Sequence, residues 1–331
     1  MTKNIIAVDN GLSNDTLKIE YVFGNVCNYK CWYCFPGSNE GTHRWPDIEL
    51  IKRNLGHLIK QYIRYGKKKI QLNIIGGEPT MWPKLGDFAE YFFKEFGCLV
   101  SMSTNGSRTL RWWEENAKYF GYIDLSVHHD EAKLNHLIDV ADCVYDQNVY
   151  LAAKVLMDFK NWDHCITAIE TLKTSKRKWY IAAKDIHING QWFYTPEQKE
   201  FLSKPVKRYP EINHFLKNYK IDNTRYSVTF EDGVSQKVPS CYFALNNLNH
   251  FKGWECTAGV DWLHISREGD ILCTMMQPLY QEEKIYNIYQ TDFTEVFNPT
   301  IAPVICTKDD CFCNAEITLK KRKIISIVQQ T

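Results

Sequence analysis

LKIEYVFGNVCNYKCWYCF, residues 17–35, runs from an apolar stretch straight into three cysteines within eight positions. Residues 17–26 have the composition of a strand. The loop that follows offers three thiols, Cys27, Cys31 and Cys34, with an aromatic residue, Tyr33, before the last. Downstream the same form repeats, a strand and then a helix. Asp47 precedes Ile48, Ile51, Leu55, Leu58, Ile59 and Ile63, the spacing of an amphipathic helix with an N-cap. KKIQLNII (68–75) is a strand that stops at GGEP, residues 76–79. A helix around 88–96, the strand CLVSMS, the turn TNG, a helix over 109–119 and the strand YIDLSV follow. Then come a helix over 131–147, the strand VYLAAKVLM, a helix over 163–174 and the strand WYIAAKDIHI (179–188).

About six strand–helix units thus fill the first ~190 residues, which points to a parallel sheet flanked by helices. The polar motifs fall at strand C-terminal ends, where such folds place their sites. The rhythm stops near residue 190. The expected organisation is a domain over 1–190, a polar linker with short helices over 191–240 and a cysteine-rich module over 241–331.

Composition narrows the class. The chain has 331 residues, 44% apolar and 24% charged, with a net charge of +1, so neither a nucleic-acid nor a membrane-surface partner is expected. No stretch approaches the roughly 20 apolar residues of a membrane span, and the N-terminus does not read as a signal peptide. A cytoplasmic, reducing location is the expectation. There the 12 cysteines are better explained by metal or redox chemistry than by disulfides. Cys98, Cys143, Cys165 and Cys241 stand alone and read as small buried hydrophobes.

Three thiolates can hold three irons of a [4Fe–4S] cubane and leave the fourth open, whereas closed zinc sites and ferredoxin clusters take four ligands. Cys27-x3-Cys31-x2-Cys34 resembles the defining motif of the radical S-adenosylmethionine (radical SAM) superfamily. The resemblance implies a partial (β/α)6 TIM-like barrel, an α/β fold, with the cluster loop after the first strand. It implies that Tyr33 lies by the adenine of SAM and that Gly76, Gly77, Glu78 and Pro79 bind its amino group. Ser103, Thr104 and Asn105 would contact the ribose, and Ser126 and Lys154 the carboxylate or ribose. The residue chemistry agrees: glycines admit close backbone approach, and Glu78 is an anionic partner for an ammonium.

Residues 251–273 read as a β-hairpin with Cys256 and Cys273 at its ends and REGD as its turn; Cys306, Cys311 and Cys313 follow. This region resembles the SPASM or shorter Twitch auxiliary-cluster modules of the superfamily. It has five cysteines, or six with Cys241, against about seven in a full SPASM, which favours Twitch and one auxiliary [4Fe–4S] cluster. Cys306 and Cys313 compete for the fourth ligand place, and a zinc site is the structural alternative.

The resemblance implies reductive cleavage of SAM to a 5′-deoxyadenosyl radical, hydrogen abstraction from a substrate and a net oxidation, with electrons from a flavodoxin- or ferredoxin-type partner. The substrate is a small molecule or a peptide. About 16 residues precede the first strand, which leans toward a small molecule. A ribosomal-peptide maturase or a redox-neutral epimerase, with a thiol such as Cys165 or Cys241 returning hydrogen, are the alternatives. A non-enzymatic zinc or redox-sensing protein would leave GGEP and STNG unexplained. His128, just past the fourth strand, is a candidate acid, base or substrate contact.

Overall fold

The computed structural model describes residues 4–43, 45–147, 149–176, 179–188, 191–203, 226–238, 242–243, 246–274, 277–278, 286–299, 301–307, 309–311, 317 and 319–324. The chain divides into two compact units: one of Met1–Ile19, Asn54–Ile70 and Tyr219–Thr331, the other of Glu20–Arg53 and Gln71–Asn218.

The second of these is the parallel-sheet unit. Its strands lie in the order β2 (Thr16–Val22), β3 (Lys69–Ile75), β4 (Leu99–Thr104), β5 (Tyr122–Val127), β6 (Tyr150–Met157), β7 (Tyr180–Asp185). β3 through β7 pair in parallel, in registers such as Asn73↔Ser101, Ser103↔Asp124 and Ser126↔Lys154. Residues alternate across the pleat, so each strand has two characters. Leu72, Ile74, Met102, Ile123, Leu125, Ala153 and Val155 are fully buried. Helices α2 (Leu85–Phe96), α4 (Leu134–Tyr145) and α5 (Trp162–Leu172) pack on β4, β6 and β7. Each buried Leu, Ile or Val contributes about 1.5–3 kcal/mol. The other face is polar, with Ser101, Ser103, Tyr122, Asp124, Ser126 and Lys154. Asp47 caps α1 (Ile48–Arg64) by accepting from the Leu50 N–H at 2.8 Å, as its place before the helix requires.

The antiparallel unit holds a six-stranded sheet. Its order is β14 (Val304–Ile305), β10 (Trp254–Cys256), β15 (Lys321–Lys323), β1 (Ile5–Asp9), β8 (Tyr226–Phe230), β9 (Ser235–Val238). Val8, Val228, Phe230, Val238, Phe243, Phe251, Trp254 and Ile317 form its apolar core. A separate meander runs through β11 (Trp262–Ile265), β12 (Ile271–Thr274) and β13 (Gln277–Pro278). Lys67 and Asp261 make a buried ion pair in this unit, with the Lys67 ammonium also donating to Asn14 O at 2.7 Å and Thr16 O at 3.2 Å.

Two details differ from the sequence-based expectation. The polar stretch expected to carry short helices has one, α6 (Pro196–Ser203), but then the β8–β9 hairpin, whose turn uses Gly233 at φ +80°. Cys256 does not end the hairpin that carries Cys273: it lies on β10, which pairs with β14 and β15, while β11 and β12 pair with each other. Gly259 and Val260 turn the chain between the two sheets, with Val260 and Asp261 N–H both donating to Thr257 O at 3.0 Å. Among the described residues no helix is long and apolar enough to cross a membrane.

Candidate functional site

Three loops after β2, β3 and β4 are tied into one assembly in the parallel-sheet unit. Gly76 and Gly77 sit at φ +94° and +49°, and a Cβ on Gly77 would fall 2.3 Å from Val26 O. Only glycine fits so close to the chain entering the cysteine loop. The Glu78 N–H then donates to Val26 O at 2.7 Å. The Glu78 carboxylate is 1% exposed and has four protein donors. Oε1 accepts from Thr80 N at 3.0 Å, Thr80 Oγ1 at 2.5 Å and Thr104 Oγ1 at 2.6 Å; Oε2 accepts from Asn105 N at 2.6 Å. Burial raises its pKa, against the lowering effect of those donors. Thus the carboxylate that sequence reading aims at a ligand ammonium is occupied in joining GGEP to STNG.

Asn105 completes the tie. Its Nδ2 donates to Asn28 Oδ1 at 2.9 Å, its Oδ1 accepts from Ser107 N at 3.0 Å, and Asn28 Nδ2 donates to Ser107 Oγ at 3.0 Å. Asn28 lies between Cys27 and Cys31, so the third loop grips the first.

The three thiols are neighbours on their loop. Burial raises the pKa of each, that of Cys31 to about 12, and the presence of the other sulfurs adds to the effect at Cys27 and Cys31. Among the described residues no three His, Cys, Asp or Glu side chains form a closed metal-ligating group. The donor set nevertheless fits an iron–sulfur cluster: three thiols on one short loop, protonated when alone, are what metal charge converts to thiolate ligands. His128 stands against this loop. Its Nδ1 is 3.0 Å from Tyr33 OH and 3.2 Å from Cys31 Sγ, and its ring stacks on Tyr33 at 5.8 Å. Burial lowers its pKa to about 4, so the ring is neutral at neutral pH.

A second cluster of partners escaped the sequence reading. Asp158, fully buried at the end of β6, accepts from Trp32 Nε1 at 3.1 Å, Asn161 Nδ2 at 2.9 Å and Lys160 N at 2.9 Å, and lies 3.0 Å from His129 Nε2. Burial works to raise its pKa, but these donors outweigh it and hold the carboxyl below its usual range. The Lys160 ammonium lies 3.7 Å from the Trp32 ring centroid. An acid at a strand C-terminal end is the signal that was available.

Ser126 and Lys154 are register partners, but the Lys154 ammonium turns to Asp124 Oδ2 at 2.6 Å, while Tyr122 OH donates to Asp124 Oδ1 at 2.6 Å. In the antiparallel unit, Cys256 lies opposite Val304, the Cys306 N–H donates to Trp254 O at 2.8 Å and the Cys311 N–H to Asn249 O at 2.9 Å. Cys306 and Cys311 both pack on the apolar core. Cys241 and Cys313 lie outside the described residues, as does the side chain of Cys273.

Residues 21–157 match the radical SAM superfamily model and form a domain of that superfamily. Among curated proteins, a GTP 3′,8-cyclase of Psychromonas ingrahamii is 30% identical over 135 residues, 38% of each chain. An S-adenosylmethionine-dependent nucleotide dehydratase of Thermoplasmatales archaeon (strain ISO4-H5) is 26% identical over 157 residues, 43% of this chain and 52% of that one. The chain therefore spans 38% and 52% of the length of these two relatives. Among solved structures, native anSMEcpe with bound AdoMet aligns over 85% of this chain and 81% of its own, at 14% identity and a TM-score of 0.48.

Proposed function

We propose that the chain is a radical SAM enzyme that cleaves SAM reductively, abstracts a hydrogen atom from a small molecule or peptide and oxidises it overall. What carries the reading is the interlock of the cysteine loop, GGEP and STNG through Glu78, Asn105 and Asn28. Cys27, Cys31 and Cys34 would hold a [4Fe–4S] cluster, which when reduced supplies the electron that splits SAM into methionine and the 5′-deoxyadenosyl radical. Gly76, Gly77 and Pro79 would present backbone to the SAM amino group, and Ser103, Thr104 and Asn105 would line its ribose. Glu78 would act from behind by holding those two turns in one geometry. Tyr33, braced by neutral His128, would flank the adenine. The sheet is read as a partial (β/α)6 barrel with Ser126 at its SAM end.

Cys256, Cys306 and Cys311 support a SPASM/Twitch-type module with one auxiliary cluster, completed by Cys273 or Cys313. Residues some 50 apart in sequence are brought side by side by the β10–β14 pairing. Net oxidation then follows: the substrate gives a hydrogen atom to the radical and a further electron to an acceptor, releases a proton, and consumes SAM one for one. Cys165 lends little to the redox-neutral alternative, because it is buried and its Sγ donates to Leu156 O at 3.4 Å. The relatives' nucleotide names are not transferred, since they match less than half of this chain. A flavodoxin- or ferredoxin-type reductant and a reducing compartment complete the proposal; the described cysteines are all free thiols.

The test is anaerobic reconstitution followed by reduction with SAM present. The expected result is 5′-deoxyadenosine and methionine in equal amounts from protein holding roughly eight irons. Absence of 5′-deoxyadenosine from iron-loaded protein would refute the reading.

A further inference from the structure

The sheet face turned away from the helices is unusually polar for the inside of an α/β unit, and the radical SAM loops stand at its C-terminal end. Side chains at Ser101, Ser103, Tyr122, Asp124, Ser126 and Lys154 share this face by register. Tyr150 stacks on Tyr122 at 5.1 Å, and Tyr180 and Lys184 extend the row on β7. Buried polar groups need partners. Here one lacks any: Gln71, 4% exposed and two residues before Asn73 on the same face, has an Nε2 with no hydrogen-bond acceptor. Its neighbour Asn73 donates to Glu20 Oε2 at 3.3 Å and accepts from Ser101 Oγ at 3.0 Å.

The charges on this face cancel. The Lys154 ammonium is bonded to Asp124 at 2.6 Å, and the Lys184 ammonium to Asp185 at 3.1 Å. Both lysine side chains are about one-third exposed, at 36% and 37%, so they are within a ligand's reach, yet each already has its own carboxylate. Glu20 adds a further acid, 7% exposed. Among the described residues of this face there is no surplus cation. A nucleoside triphosphate brings several negative charges and needs Lys, Arg or metal charge to meet them. Hydroxyls of Ser and Tyr, a carboxylate and an ammonium instead present donors and acceptors in even supply.

We infer that this face, centred on Tyr122, Asp124 and Lys154, is the substrate site, and that it takes an uncharged or zwitterionic, hydroxyl-rich small molecule rather than a nucleoside triphosphate. The inference rests on the radical SAM reading above. The substrate's hydroxyl or amino groups bind the free lone pairs of Asp124, and its acceptors meet the Lys154 ammonium. The reacting carbon then lies toward Ser126.

The experiment separates the two readings. Wild-type holoenzyme is first assayed for 5′-deoxyadenosine on reduction; failure there removes the radical SAM reading and this inference with it. Enzyme that passes is equilibrated, with SAM, against a defined equimolar mixture of hexoses, amino sugars, aminocyclitols, amino acids, nucleosides and nucleoside triphosphates. Retained compounds are identified by mass spectrometry, for wild type, Asp124→Asn and Tyr122→Phe. The expected result is retention of an unphosphorylated, hydroxyl-rich compound, reduced about tenfold by Asp124→Asn and about threefold by Tyr122→Phe. If Asp124→Asn does not fold, Tyr122→Phe decides alone. Retention of a nucleoside triphosphate, retention of nothing, or an unchanged set in the folded variants would overturn the inference.

Discussion

The two cysteine regions of this chain are built in opposite ways. In the parallel-sheet unit, three thiols come from eight consecutive residues, and the neighbouring loops reach the same place through short polar ties: Glu78 to Thr104 and Asn105, Asn105 to Asn28. In the antiparallel unit, Cys256 and Cys306 are separated by some 50 residues and meet only because β10 pairs with β14. The first region is organised by local sequence and hydrogen bonds. The second is organised by a sheet whose core must fold before its cysteines are neighbours. Damage to each should therefore come from different kinds of substitution.

The largest effect is expected in the second region. Phe243 is fully buried in the apolar core on which Cys306 and Cys311 pack. Phe243→Ala should cost about 3–5 kcal/mol, measured by urea unfolding, and should lower iron content while SAM cleavage persists. Full iron retention would break the claim that packing gathers the late cysteines.

Gly77→Ala is the counterpart in the first region. A Cβ 2.3 Å from Val26 O, on a backbone at φ +49°, combines overlap with left-handed strain and should cost about 2–5 kcal/mol. SAM affinity measured by equilibrium dialysis should fall at least as steeply. Glu78→Gln follows at about 1.5–3 kcal/mol. The amide keeps the shape, but one of its ends must present N–H to a donor, either Asn105 N or the Thr80 and Thr104 pair. An unchanged melting temperature would show that the carboxylate is not the tie described. Smallest is Lys252→Ala: its ion pair with Asp309 is exposed at both ends, and no shift in melting temperature is expected.

These contrasts also explain what was legible beforehand. YIDLSV is observed as β5 with the same bounds, because alternating apolar and polar residues between turn signals carry their own period. The expected helices over 131–147 and 163–174 are observed as α4 and α5, shortened by a few residues at ends where caps rather than periodicity decide. IIAVD, by contrast, is a strand only because β8 and β15 flank it, partners more than 200 residues away. The β8–β9 hairpin lies in a stretch whose lysines and serines mask its alternation. At the site, the spacing of Cys27, Cys31 and Cys34 announced the chemistry, and glycine at 76 and 77 announced a tight turn. The destination of the Glu78 carboxylate was not legible, since a carboxylate can face a ligand or a neighbouring loop with equal ease. Lys154 was open for the same reason: its partner Asp124 is 30 residues away and appears only with the register of β5 and β6.

The central claim is that the early cysteines alone run SAM cleavage. The most direct measurement compares two triple variants, Cys27/Cys31/Cys34→Ala and Cys256/Cys306/Cys311→Ala, for iron content and for 5′-deoxyadenosine after anaerobic reduction. Each should lose about half of the roughly eight irons. The early variant should form no 5′-deoxyadenosine, and the late variant should still form it without product. 5′-Deoxyadenosine from the early variant would contradict the account.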